Sequence, residues 1–166
     1  KWNNNFKPKA GQIFFSKEEK FKANQIFNSA KNYWKTKNKN SKFKAVIFLE
    51  SSSTKLNDIQ FGLKQQNLSW GHENWQKLVN KISNTYLIIQ SCHKQTLKLD
   101  GVYVTDDLSF RLSSAVMNKC DLFLGAHGGF AHVAAALEKS AIIYFGGWAP
   151  PEILGYQTHK NIYFKN

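Results

Sequence analysis

Arginine is almost absent from this chain. Of its 23 basic residues only Arg111 is arginine, set against 11 acidic residues for a net charge of +12. Bidentate readout of bases and phosphates rests mainly on arginine, so no specific nucleic-acid partner follows from the charge. The charge is also uneven. Residues 1–50 hold 12 Lys against 3 Glu, a net +9, and residues 51–166 hold 11 basic against 8 acidic, a net +3. The lysine-rich first third reads as a solvated face, with peripheral contact to an anionic membrane as its other use. Cysteine is scarce: Cys92 and Cys120 lack metal-ligand spacing and form no disulfide framework. Cys120 reads as a small core residue. No apolar run approaches the ~18 residues of a membrane span. The opening Lys1-Trp-Asn-Asn-Asn is polar, unlike a signal peptide. Together these point to a cytoplasmic protein with reduced thiols.

What is present is an alternation of apolar strands and amphipathic helices. Ser16 and Glu19 make a capping box for a helix reaching Lys37, with Ala23, Ile26, Phe27, Ala30 and Trp34 as its buried stripe. Phe43–Leu49 and Thr85–Ile89 read as buried strands, with a helix over 73–83 between them. A short strand over 101–104 follows, then a helix capped by Asp107 or Ser109 with Leu112, Ala115, Val116 and Met117 inward. A strand over 121–124, a helix over 129–138 and a strand over 140–145 complete the pattern. The remainder reads as irregular until residues 161–164. Strands apolar throughout, alternating with helices, predict a parallel sheet covered on both faces. The expected fold class is α/β, a Rossmann-like three-layer unit of about five strands. Residues 1–42 read as a connecting segment and helix, and residues 43–166 as the Rossmann-like unit.

In such sheets ligands bind beyond the carboxyl ends of the strands. The loops on that rim hold the Ser/Thr/Lys cluster after Leu49, Gln90 to His93, Thr105 to Asp107, the turn from Gly125 to Gly129, and Gly146-Gly147-Trp148. A helix starting at Gly129 would aim free backbone N–H groups at a ligand above the sheet, which suits phosphates. His127 and His132 flank that turn. Asp106 and Asp107 read as helix-capping residues rather than a metal pair. A zinc site from His127, His132 and Cys120 lacks recognised spacing. The loop from Ser51 to Lys55 is no Walker loop, because its leading glycines are missing.

Residues 120–147 resemble the carboxy-terminal signature of the heptosyltransferase-like glycosyltransferases of family 9. The shared pattern is a strand (Leu122 to Leu124), a glycine turn, a histidine (His132) in an alanine-rich helix, and a strand ending in Phe145-Gly146. Trp70 and Trp75 resemble the family's Trp-rich start of the helix after the first strand. The resemblance implies the C-terminal half of a GT-B fold, binding a nucleotide diphosphate sugar. By position it implies that His127, Gly128, Gly129, Phe130 and His132 contact the donor, with Gly147 and Trp148 on the same rim. The family's phosphate lysine falls at Leu68, so Lys64 or Lys55 would replace it, and Gln90 or Gln95 would hold the ribose. His127 stands where the family often has an acidic residue that reads the sugar. The implied reaction is glycosyl transfer to a glycan or lipid-linked acceptor, of the lipopolysaccharide type, with no cofactor or metal. The catalytic base is unassigned and is expected in an N-terminal acceptor domain; about 40 residues before the first strand are too few for one. The implied location is the cytoplasm or the periphery of the inner membrane. Two other readings fit the same residues: a different nucleotide-sugar enzyme such as an epimerase, and a non-enzymatic basic binding module.

Overall fold

The computed structural model describes residues 7–39, 42–51, 70–94, 96–146 and 150–163. Helix α1 (Lys17–Lys37) starts at the expected capping box: Ser16 Oγ accepts from the Glu19 N–H at 3.1 Å, and Glu19 Oε2 accepts from the Ser16 N–H at 2.7 Å. Strand β1 (Val46–Glu50) leads by way of helix α2 (His72–Ile82) to strand β2 (Leu87–Cys92). Strand β3 (Tyr103–Asp106) and helix α3 (Phe110–Lys119) follow, then strand β4 (Leu122–Ala126) and helix α4 (Gly129–Ala136). Strand β5 (Ser140–Phe145), the one-turn helix α5 (Pro151–Leu154) and strand β6 (Lys160–Tyr163) complete the order.

Six strands form one parallel sheet in the order β3-β2-β1-β4-β5-β6. This is the arrangement of doubly wound nucleotide-binding folds. The expected α/β Rossmann-like class holds, with six strands in place of five. The sixth is short, and its Lys-Asn-Ile-Tyr composition carries no apolar run to announce it. Two other boundaries differ for physical reasons. β1 begins at Val46 rather than Phe43, where the Asp121 carboxylate accepts from the Val46 N–H at 2.7 Å, and it runs on to Glu50. β2 continues past Ile89 to Cys92, because pairing with β3 carries on through Ser91↔Thr105 and Cys92↔Asp106.

One face of the sheet packs Phe48, Ile89, Phe123 and Ile143 beneath α1, α3 and α4, with Ala23, Ala30 and Trp34 of α1 inside this core. Arg111 ties α3 to α1: its guanidinium donates to both Glu19 carboxylate oxygens, at 2.6 and 3.0 Å, and to the Phe14 carbonyl at 2.8 Å. On the other face α2 covers Ile47, Leu49 and Ile88 with Trp75 and Val79. Beyond α2 this face continues as an apolar groove of about 440 Å³ lined by Trp70, Leu78, Leu122, Leu124, Ile142 and Tyr144. Among the described residues no helix is long and apolar enough to cross a membrane.

Candidate functional site

The connections from β1 and from β4 leave in opposite directions along the sheet. The crevice between their carboxyl ends is the switch point at which doubly wound sheets take ligands. Glu50 ends β1 and pairs in register with Gly125 of β4. The two backbones press together here: a Cβ on Gly125 would lie 3.0 Å from the Glu50 carbonyl oxygen and 2.7 Å from the Phe123 ring. Close approach therefore requires glycine at this position.

Just past β4 the chain turns into α4. The His127 N–H still donates to the Tyr144 carbonyl at 2.8 Å, continuing the ladder with β5. Gly128 is fully extended and no side chain caps the helix. The first helical bond is a tight one, from the Ala131 N–H to the Gly128 carbonyl at 3.0 Å. By helix geometry the preceding N–H groups, on Gly129 and Phe130, find no acceptor within α4. Gly129 is exposed, and the Phe110 ring lies where its Cβ would come within 3.2 Å. Phe130 places its side chain in the core, stacked on Phe110 with centroids 4.9 Å apart. Its contribution to the rim is its backbone.

The histidines lie in a row along the same edge. His127 stacks on Phe145 at 4.8 Å and meets His132 edge-on at 5.8 Å. Exposed His132 shares a 2.9 Å hydrogen bond between Nδ1 and the Tyr156 hydroxyl, and Tyr156 in turn lies 5.3 Å from His159. Burial, and secondarily the neighbouring His132, hold His127 and His159 below the usual histidine range. Both are therefore neutral near pH 7 and can offer either a donor or an acceptor. His127 Nε2 and both ring nitrogens of His159 are buried without a partner.

The structure thus brings His127, Gly128, Gly129, Phe130 and His132 together. Lys55, Lys64, Gly147, Trp148 and Gln95 lie outside the described residues. Gln90 is corrected. It lies within β2, fully buried, and its amide is consumed by Ser51 Oγ at 2.8 Å, the Leu97 carbonyl at 3.0 Å and the Leu99 N–H at 2.9 Å. A side chain so satisfied has nothing left for a ribose. Asp106 is held by Lys98 at 2.6 Å, and Ser109, rather than Asp107, caps α3 by accepting from the Leu112 N–H at 3.2 Å. Among the described residues no three His, Cys, Asp or Glu side chains converge to hold a metal ion.

Sequence reasoning missed Glu50. Its carboxylate Oε2 is shut off from solvent without a hydrogen-bond partner. That oxygen lies 3.9 Å from where Gly128 would carry a Cβ, directly beside the glycine turn. Burial raises its pKa from the usual 4.5 to about 8. The available signal was a lone carboxylate closing the otherwise apolar run Val-Ile-Phe-Leu just before the rim.

No protein-family profile matches the chain, and no curated protein matches its sequence. Solved structures do match. The glycosyl transferase family 9 protein from Veillonella parvula superposes with a TM-score of 0.70 at 14% identity, over 95% of this chain and 43% of that one. The E. coli heptosyltransferase WaaC with ADP matches with a TM-score of 0.56 at 15% identity, over 80% of this chain and 41% of that one. The E. coli ADP-heptose LPS heptosyltransferase II matches with a TM-score of 0.56 at 16% identity, over 92% of this chain and 44% of that one. The chain spans about two-fifths of the length of these proteins. The likeness that the glycine turn suggested therefore holds at the level of the fold: this is the Rossmann-like α/β fold found in GT-B glycosyltransferases.

Proposed function

We propose that the chain is the donor-binding half of a glycosyltransferase. It would hold a nucleotide diphosphate sugar for transfer to a glycan or lipid-linked acceptor, as in lipopolysaccharide assembly. The observation that carries this reading is the uncapped start of α4 at the switch point of the sheet. An eight-residue helix whose first N–H groups face the crevice attracts an anion, through those donors and the helix dipole together.

The chemistry follows from that placement. When the bond from sugar to phosphate breaks, negative charge grows on the departing diphosphate. Donors fixed in advance at Gly129 and Phe130 stabilise that charge without reorganising. His132 stands one turn along, and Lys55 or Lys64 would add a cation. Gly147 and Trp148 follow β5 on the same rim. The catalytic base and the acceptor site belong to a second, N-terminal domain in this reading. WaaC is seen with ADP, which makes ADP the first nucleotide to try.

Calorimetry with ADP, UDP and GDP on the intact protein tests the proposal. At least one should bind, and Gly129→Trp, which fills the approach to the helix start, should abolish the binding. No binding of any of the three, or equal binding by Gly129→Trp, would sink it.

A further inference from the structure

We propose that Glu50 serves the diphosphate site as a protonated hydrogen-bond donor, so that the site takes up its anion together with a proton. This inference rests on the donor-site reading above and deepens it.

The geometry comes first. Glu50 closes β1 at the switch point, in register with Gly125, and its Oε2 lies beside Gly128 at the mouth of α4. Buried carboxyl oxygens are almost always paired, and one that is not calls for a reason. This one has no partner in the protein, yet it sits at the helix start where an anion is expected.

The two protonation states differ sharply in what they can do there. An ionised Glu50 would set a second negative charge next to a diphosphate, and the two would compete for one helix end. A protonated Glu50 is neutral and presents an O–H, and diphosphate oxygens are acceptors.

The surroundings favour the neutral form. From β2, Gln90 has spent its amide elsewhere, and burial holds the Cys92 thiol protonated, pushed up to about 11. From β4 and its turn comes His127, neutral by burial. α4 has no acidic residue in its first turn and no basic residue in its last, and its His132 is bonded to Tyr156. Burial alone accounts for the raised pKa of Glu50, with no charged neighbour contributing. Lys55 and Lys64 lie outside the described residues. When a diphosphate binds an ionised site, one proton must come from solvent to Glu50.

The experiment is calorimetry of ADP, UDP and GDP on the intact protein at pH 7 and pH 9, for the wild type and for Glu50→Gln. Glutamine supplies an N–H donor that does not titrate. Wild-type affinity should fall about tenfold from pH 7 to pH 9, as the carboxyl passes from about one-tenth to about nine-tenths ionised. Affinity of Glu50→Gln should change by less than about twofold once the nucleotide's own titration is shared by both proteins. An equal pH dependence in the two proteins overturns this proposal and leaves the donor site standing. No binding of any nucleotide by either protein at either pH overturns the donor-site reading, and this inference with it. A second readout needs no variant: the NMR shift of the Glu50 side-chain carboxyl carbon at pH 9. It should move from its ionised to its protonated position when saturating nucleotide is added, and a carboxyl that stays ionised overturns the proposal.

Discussion

Two glutamates stand beside helix starts in this molecule, and their environments are opposite. Glu19 lies in the first turn of α1 and is fully used: it accepts from the Ser16 N–H and from Arg111. Those bonds, Arg111 first, lower its pKa to about 2. Glu50 lies beside the first turn of α4 with no partner, and burial raises its pKa to about 8. The helices match their glutamates. α1 and α3 are each capped by a serine, whereas α4 begins at an extended glycine with no side-chain cap. Where a helix start serves the fold, the chain satisfies it internally. Where it faces the switch point, the chain leaves it unsatisfied, and that difference marks the site.

The largest effect that sharpens this contrast is on stability. The folded pKa of Glu50 lies above its unfolded value, so its contribution is intact below pH 4.5. It is lost progressively as pH rises to about 8. Glu50→Gln removes that loss. At about 1.4 kcal/mol per pH unit it should be neutral at pH 4 and stabilise at pH 9 by up to about 5 kcal/mol. Urea unfolding at the two pH values reads this, and an equal effect at both would erase the contrast with Glu19.

A second test gives α4 the cap it lacks. Gly128 is extended, and a side chain there meets nothing nearer than Glu50 Oε2 at 3.9 Å. Gly128→Asp should therefore fold and raise stability by a few tenths of a kcal/mol. The same variant should weaken nucleoside diphosphate binding at least about a hundredfold, because like charges a few ångströms apart at a protein surface repel by several kcal/mol. Unchanged affinity in this variant would place the anion elsewhere.

Smaller effects follow. Gly125→Ala forces a methyl against the Glu50 carbonyl and the Phe123 ring. It should cost about 1–3 kcal/mol in unfolding free energy. Ser16→Ala and Ser109→Ala should each cost about 1 kcal/mol and leave nucleotide affinity untouched in the same calorimetric assay. Glu19 works in the opposite sense to Glu50: its stabilisation is present above pH 4.5 and is lost as pH falls towards 2. Glu19→Gln should flatten acid unfolding in that window, which circular dichroism can follow.

The sequence made some of this contrast plain and hid the rest. The Ser16 and Glu19 capping box is a local pattern, legible because its two bonds join residues three apart. The glycine turn was legible for the same reason, since strand, turn and helix follow in one stretch. Glu50 was not, because its meaning depends on Gly125, which lies 75 positions along the chain and becomes its neighbour only through the parallel register. Gln90 misled for a related reason. The end of an apolar run looked like a rim loop, but β3 pairs with β2 beyond it and draws the glutamine into the interior. The row from Phe145 through His127, His132 and Tyr156 to His159 joins β5, α4 and the segment before β6. Only the first two histidines share a local motif.

The most direct measurement of the central claim is an amide-resolved NMR titration of the intact protein with ADP, UDP and GDP. If the open start of α4 holds the diphosphate, the Gly128, Gly129 and Phe130 amides should shift most and together. The capped starts at Glu19 and Leu112 should stay still. Shifts confined to other loops, with those three amides unmoved at saturation, would contradict the account.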